Sequence, residues 1–195
     1  MAELSNARDT ALTLGEVTLA VAWNVRGDPA NAALATDAAR VLGLALPVDA
    51  LTSTGSGSVA LLWLGPQSWL YVAGDSSTPI DFDSARRAIN AAGGALFDVS
   101  SSYVAWRVAG AAAAQALNRA CPLDLHPRTF RTGQCAQSVL GHVNALFHKP
   151  DDGAFIVMVA RSFAADAWRT LCEAARTDGY RIVSACPFAC AMRAA

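Results

Sequence analysis

The sequence predicts an α+β fold built from duplicated hairpin-helix units, each split βαβ-like, packed as one body. Two observations predict it. Val59 to Leu64 and Trp69 to Ala73 are apolar runs joined by Gly65-Pro66-Gln67-Ser68, followed by a helical stripe of Phe82, Ala85, Ile89 and Ala92. The same order returns later: His142 to His148 and Ala154 to Ala160 flank Lys149-Pro150-Asp151-Asp152-Gly153, and a helix follows. Its stripe is Ala164, Ala167, Trp168, Leu171, Cys172 and Ala175, close to ideal spacing. The expected organisation is a single domain over 1–195, with two intimately packed pseudo-repeat lobes over about 12–94 and 95–185.

The remaining elements follow from local pattern. Val17, Leu19, Val21, Trp23 and Val25 alternate with Thr18, Ala20, Ala22 and Asn24, which predicts one strand with its large side chains on one face. Asp28-Pro29 reads as an N-cap and first-turn proline. Leu34, Ala38, Val41 and Leu42 then keep helical spacing, and Gly43 stops the helix. Pro47 to Ser58 reads as a loop. Its Gly55-Ser56-Gly57 lacks the third glycine and following helix of a phosphate loop. Gly93-Gly94 ends the helix that starts near Phe82. Ala95 to Val99 and Tyr103 to Ala109 are strands, with Val104, Trp106 and Val108 on one face and Arg107 on the other. Gly110 opens a short helix through Arg119, and Pro122 ends it. Gly133 leads into a further strand.

Composition narrows the function classes. The chain is 53% hydrophobic and only 16% charged, against about 25% charged in an average globular chain. An Ala-rich core or an apolar face buried against a partner accounts for this. Fifteen basic and sixteen acidic residues leave a net charge of −1, and the densest basic spots are pairs such as Arg86-Arg87, so no nucleic-acid surface is expected. No apolar run reaches the roughly 18 residues of a membrane span. Glu3, Arg8 and Asp9 interrupt any apolar signal core, so a soluble, cytoplasmic protein is expected.

Few residues suggest chemistry. Five cysteines without a secretory signal read as free thiols, with Cys121, Cys135 and Cys172 inside apolar patterns. Cys186 and Cys190 are four apart, and a metal would need two more ligands. His126, His142 and His148 complete no zinc pattern with them, so no metal is expected. His142 and His148 share a strand face but sit too far apart for one ion unless the strand bends. Asp124 follows Pro-Leu in a turn, where a carboxylate commonly binds nearby backbone N–H groups. Arg161 and Ser162 precede a helix and are the candidate anion site. The alternative is that Ser162 is only a cap and Arg161 pairs with a partner. The five tryptophans read as core anchors, with one or two available as interface anchors.

The stretch Ala105 to Ala164 carries a resemblance. Its centre is Ala120-Cys121-Pro122-Leu123-Asp124-Leu125, followed by Gly133-Gln134-Cys135-Ala136 and by Arg161-Ser162-Phe163-Ala164. With Arg26-Gly27-Asp28-Pro29 and Leu64-Gly65-Pro66, this order resembles the sarcosine oxidase gamma subunit family across most of the chain. Through Asp98-Val99-Ser100, Val108-Ala109-Gly110 and Gln115-Ala116-Leu117-Asn118-Arg119, it is distantly similar to the aminomethyltransferase folate-binding domain. Two departures stand out. Gln67-Ser68 precedes Trp69 where the gamma family usually has an acidic residue, and Ser101 stands where aminomethyltransferases usually have His.

The resemblance implies a non-catalytic structural gamma subunit of heterotetrameric sarcosine oxidase. That assembly oxidatively demethylates sarcosine to glycine, with one-carbon transfer to tetrahydrofolate. It implies FAD, FMN, NAD and tetrahydrofolate on partner subunits and none on this chain, and the large (alpha) subunit as principal partner. The alternative is an autonomous folate-binding or aminomethyltransferase-like protein. In that case Asp124 falls where related transferases place the acid that orients or activates the folate amine, and Arg161 with Ser162 would hold an anion such as a glutamate tail. No catalytic residue is expected in the first reading, and Asp124 is the one candidate in the second.

Overall fold

The computed structural model describes residues 12–56, 58–74 and 80–192. Two antiparallel-rich sheets pack face to face, and helices cover both outer faces. The strands are β1 (Thr13–Thr18), β2 (Val21–Arg26), β3 (Ser53–Ser56), β4 (Val59–Gly65), β5 (Ser68–Ala73), β6 (Ala95–Asp98), β7 (Tyr103–Ala109), β8 (Cys135–Leu140), β9 (Val143–Asp151), β10 (Ala154–Ala160) and β11 (Arg181–Pro187). The helices are α1 (Ala32–Leu42), α2 (Phe82–Ala91), α3 (Ala113–Asn118), α4 (Ala164–Ala175) and α5 (Phe188–Ala191).

The five-stranded sheet runs β3-β4-β5-β2-β6 and the six-stranded sheet β11-β1-β7-β10-β9-β8. Within them, β3-β4-β5-β2 and β8-β9-β10-β7 have the same order. The chain therefore reads twice as strand, helix, three strands, helix. The strand that precedes each core strand pairs antiparallel with the other one: β6, before β7, on β2, and β1, before β2, on β7. β11 adds in parallel to β1.

Three apolar cores result. Val17, Ala105, Cys135, Leu146, Ile156 and Met158 meet Ala22, Ala60, Leu62, Leu70 and Val72 between the sheets. Trp23, Val25, Leu61, Trp69 and Tyr71 pack outward under α1 and α2. Trp106, Val108, Phe147, Phe155 and Val157 pack outward under α3 and α4. Phe188 and Ala191 of α5 plug one end of the inner core. Gly74 permits this, because a Cβ there would lie 2.4 Å from the Phe188 and Ala189 backbone nitrogens.

Several expectations need correction. The strand read over Val17 to Val25 is two strands in different sheets, broken at Leu19-Ala20. Val17 faces the inner core while Trp23 and Val25 face α1 and α2. The alternation passes through the crossover unbroken, so it gave no sign of the switch. α1 is capped by Asn31, whose side chain accepts from the Ala33 and Leu34 N–H groups. Asp28 instead accepts from the Ala30 N–H in a tight turn. Gly43 does end α1, at φ 72°. The Pro47 to Ser58 loop contains β3, which pairs with β4. Lys149 and Pro150 belong to β9, and the turn shrinks to Asp152-Gly153. Ser162 caps nothing, because a short 3-10 turn over Arg161–Phe163 precedes α4 and makes no side-chain cap bond. β11 and α5 had no predicted counterpart, since neither alternates or spans enough residues to show a period.

Candidate functional site

The structure separates the residues that the sequence nominated. Asp124 is exposed, and its Oδ1 accepts the His126 N–H at 3.0 Å. That bond, with one from the Thr129 side chain, holds its carboxyl below the usual carboxylate range. This is the turn role, and Asp124 lines neither of the clefts described below. Arg161 donates from Nε to the Ser101 carbonyl at 2.7 Å and from a terminal nitrogen to the Tyr103 carbonyl at 3.0 Å. Its fork thus ties the end of β10 to the start of β7, with Ser162 exposed beside it. Two of the three guanidinium nitrogens of Arg161 are spent on backbone carbonyls.

The histidines are equally dispersed. His126 Nδ1 accepts from the Arg128 N–H, and His142 Nε2 lies 2.7 Å from Asp166 at the surface. His148 is buried opposite Cys135, with Nε2 3.1 Å from the Ser53 hydroxyl and Nδ1 without a hydrogen bond. Burial pushes its pKa down to about 4. The Cys135 thiol is pushed up to about 12 by burial, and it donates to the Thr52 and Trp63 carbonyls. A Ser, a His and a Cys thus lie close at the seam of the two sheets, but the His and the Cys are buried, Ser53 is only partly exposed, and an unionised thiol is a poor nucleophile. Lys149 is also buried, donating to the Phe130 carbonyl at 3.2 Å above the Phe155 ring. Among the described residues, no three His, Cys, Asp or Glu side chains converge as a metal site.

The open concave feature lies elsewhere. At one end of the sandwich the sheets diverge and leave a cleft of about 1300 Å³. β2 supplies Asn24 and Arg26, the β4–β5 turn supplies Leu64 to Ser68, β6 supplies Phe97 and Asp98, and Tyr103 and Gln137 close the far wall. A neighbouring hollow of about 670 Å³ shares Leu64, Tyr103 and Gln137 with it. The Gln137 side-chain amide donates to the Leu64 carbonyl at 2.7 Å, bridging the sheets at the floor.

Sequence reasoning missed this cleft. Its residues lie far apart in the chain, and Asn24 appeared only as the polar side of an alternating strand. A signal was nonetheless present. Arg26, Leu64-Gly65-Pro66 and Asp98-Val99 come from three of the stretches that carry the family resemblance, and all line the cleft.

Comparison with known proteins agrees with this architecture. Residues 26–177 match the family described as sarcosine oxidase, gamma subunit family. The sarcosine oxidase subunit gamma of Corynebacterium sp. (strain U-96) is 31% identical over 160 residues, covering 80% of this chain and 76% of its own. The subunit of the same name from Arthrobacter sp. is 30% identical over 152 residues, covering 76% and 72%. Among solved structures, heterotetrameric sarcosine oxidase from Corynebacterium sp. U-96, in complex with pyrrole 2-carboxylate, contains a similar chain. That chain superposes with a TM-score of 0.80 at 26% identity, covering 88% of this chain and 87% of that one. Aminomethyltransferase T of the glycine cleavage system from Bartonella henselae superposes at 0.65 with 14% identity, over 93% of this chain and 49% of that one, which is a likeness of fold.

Proposed function

The chain belongs to the sarcosine oxidase gamma subunit family, and we propose that it serves its complex by packing rather than by chemistry. It is the gamma subunit of a heterotetrameric sarcosine oxidase, and its partners are the large (alpha) subunit and the rest of that assembly. The observation that carries the non-catalytic reading is the dispersal of the candidate groups. Asp124 is occupied by its own turn and Arg161 by two backbone carbonyls. The groups that do cluster, at His148 and Cys135, are sealed inside the fold.

In this reading FAD, FMN, NAD and tetrahydrofolate bind the other chains, and the complex works in the cytoplasm. The absence of a dinucleotide fingerprint from the sequence supports that division of labour. No helix among the described residues is long and apolar enough to cross a membrane.

Size-exclusion chromatography with and without the large subunit tests this function. The account expects co-elution with the large subunit, and no heat on calorimetric titration of the free chain with tetrahydrofolate up to millimolar concentration. Failure to co-elute, or folate binding by the isolated chain, would contradict it.

A further inference from the structure

The inner face of the five-stranded sheet is covered along part of its length only. Ala22, Leu70 and Val72 lie under the six-stranded sheet. The same face continues to Asn24, Arg26 and Phe97, where the sheets have parted. Phe97 is therefore 53% exposed on a surface whose continuation is core. A large aromatic in such a place favours a covering partner, because burying it removes apolar area from water.

The charges there are unequally occupied. Asp98 accepts from the Ser100 N–H and hydroxyl, so its carboxylate is engaged. Arg26 is held by one bond, from its Nε to Asn24 Oδ1 at 2.8 Å. Asn24 is fixed in turn, since its Nδ2 donates to Ser68 Oγ and to the Trp69 carbonyl. The two terminal nitrogens of Arg26 have no hydrogen-bond partner among the described residues. A guanidinium oriented this way, with its fork open, is complementary to a carboxylate. Among the described residues, no other charged residue lines the cleft.

We propose that this cleft is the surface through which the chain docks on the large subunit. The occupant is a segment of that subunit with an apolar side chain against Phe97 and a carboxylate on Arg26. The proposal rests on the gamma-subunit reading and goes further by choosing the face. Cleft size supports a polypeptide occupant, since about 1300 Å³ with an adjoining 670 Å³ exceeds the roughly 300–1,000 Å³ typical of small-molecule pockets. Exposed apolar side chains also lie at the β11 edge, with Ile182 and Val183, at Val48 and Leu51, and at Phe163; the β11 edge is the one set on a sheet edge.

The test measures binding of the full chain to the large subunit, with a thermal melt of each variant as the folding control. Phe97→Asp should weaken binding by roughly 30-fold or more and Arg26→Glu by about 10-fold or more, with melting unchanged because both side chains are exposed. Ile182→Asp should bind within about twofold of wild type. Cleft variants that bind like wild type would overturn the proposal, most pointedly if Ile182→Asp abolished binding. The same holds if the cleft variants lost self-association of the free chain and kept the large subunit, since the occupant would then be a second copy. Failure of the wild-type chain itself to bind would instead overturn the gamma-subunit reading, and the proposal with it.

Discussion

α1 and α2, over the five-stranded sheet, begin at side chains that cap them: Asn31 accepts from Ala33 and Leu34, and Asp81 from Ser84. α3 and α4, over the six-stranded sheet, begin at Ala112 and Phe163 without a side-chain cap. They are held together by Arg119 at the end of α3, which donates to the Ala174 carbonyl and pairs with Asp178 beyond α4. The cores differ as well. Both sheets bury large aromatics, Trp69 and Tyr71 in one and Phe147 and Phe155 in the other, but among the described residues both buried polar or charged side chains, His148 and Lys149, belong to β9 of the six-stranded sheet. The same order of elements thus has side-chain caps at its helix starts in one half only, while a long-range bond ties the helix pair in both, Asn31 Nδ2 donating to the Ala92 carbonyl at 2.8 Å at the end of α2.

The comparison breaks first at Trp69. It is fully buried under α1 and α2, and its indole N–H donates to the Pro47 carbonyl at 2.8 Å. Trp69→Ala should cost about 3–5 kcal/mol in denaturant unfolding, from lost burial and the cavity left behind. A loss below about 1 kcal/mol would show that the aromatic core is not what closes this half.

His148 probes the other half through pH. Its folded pKa of about 4 lies below the ordinary 6.5, because burial disfavours the charged ring. Above pH 6.5 neither state binds the proton, and the folded state carries no penalty. As pH falls from 6.5 toward 4, the unfolded chain takes up a proton that the folded chain refuses, and stability drops by up to about 3 kcal/mol. A His148→Gln variant should lose less stability than wild type over this window when both are followed by urea titration. Parallel curves would place the acid sensitivity elsewhere.

The helix starts give a smaller, paired contrast. Asn31→Ala should cost about 1 kcal/mol through the lost cap, while Ser162→Ala should stay within about 0.5 kcal/mol. Equal losses at the two sites would erase the distinction between the halves. Thermal melts of the two single variants decide it.

What was legible in the sequence was local. Hairpins read at Gly65–Ser68 and Lys149–Gly153, and the stripes of α2 and α4, are short-range patterns, and they showed the duplicated hairpin-helix plan. The crossover at Leu19-Ala20 was invisible because alternation survives when a strand changes sheets. β11 was missed because its residues are mostly exposed and pair with β1 from the far end of the chain, so no burial pattern marks it. The bond that Asp124 accepts from the His126 N–H is of the kind its neighbours alone suggested. The cleft left only an indirect signal: three of the stretches that carry the family resemblance line it, but nothing local says that the fold brings them together.

The central claim is that this subunit supplies no reacting group, and Asp124 is where it is most exposed to contradiction. Asp124→Asn keeps the side chain's shape and its bond from the His126 N–H, and removes the charge. The measurement is the folate-coupled rate of sarcosine oxidation by the reconstituted heterotetramer carrying this variant. The account predicts a rate within about twofold of wild type. A loss of roughly 10²-fold, the scale of a removed acid–base group, with the assembly intact on size-exclusion chromatography, would contradict it.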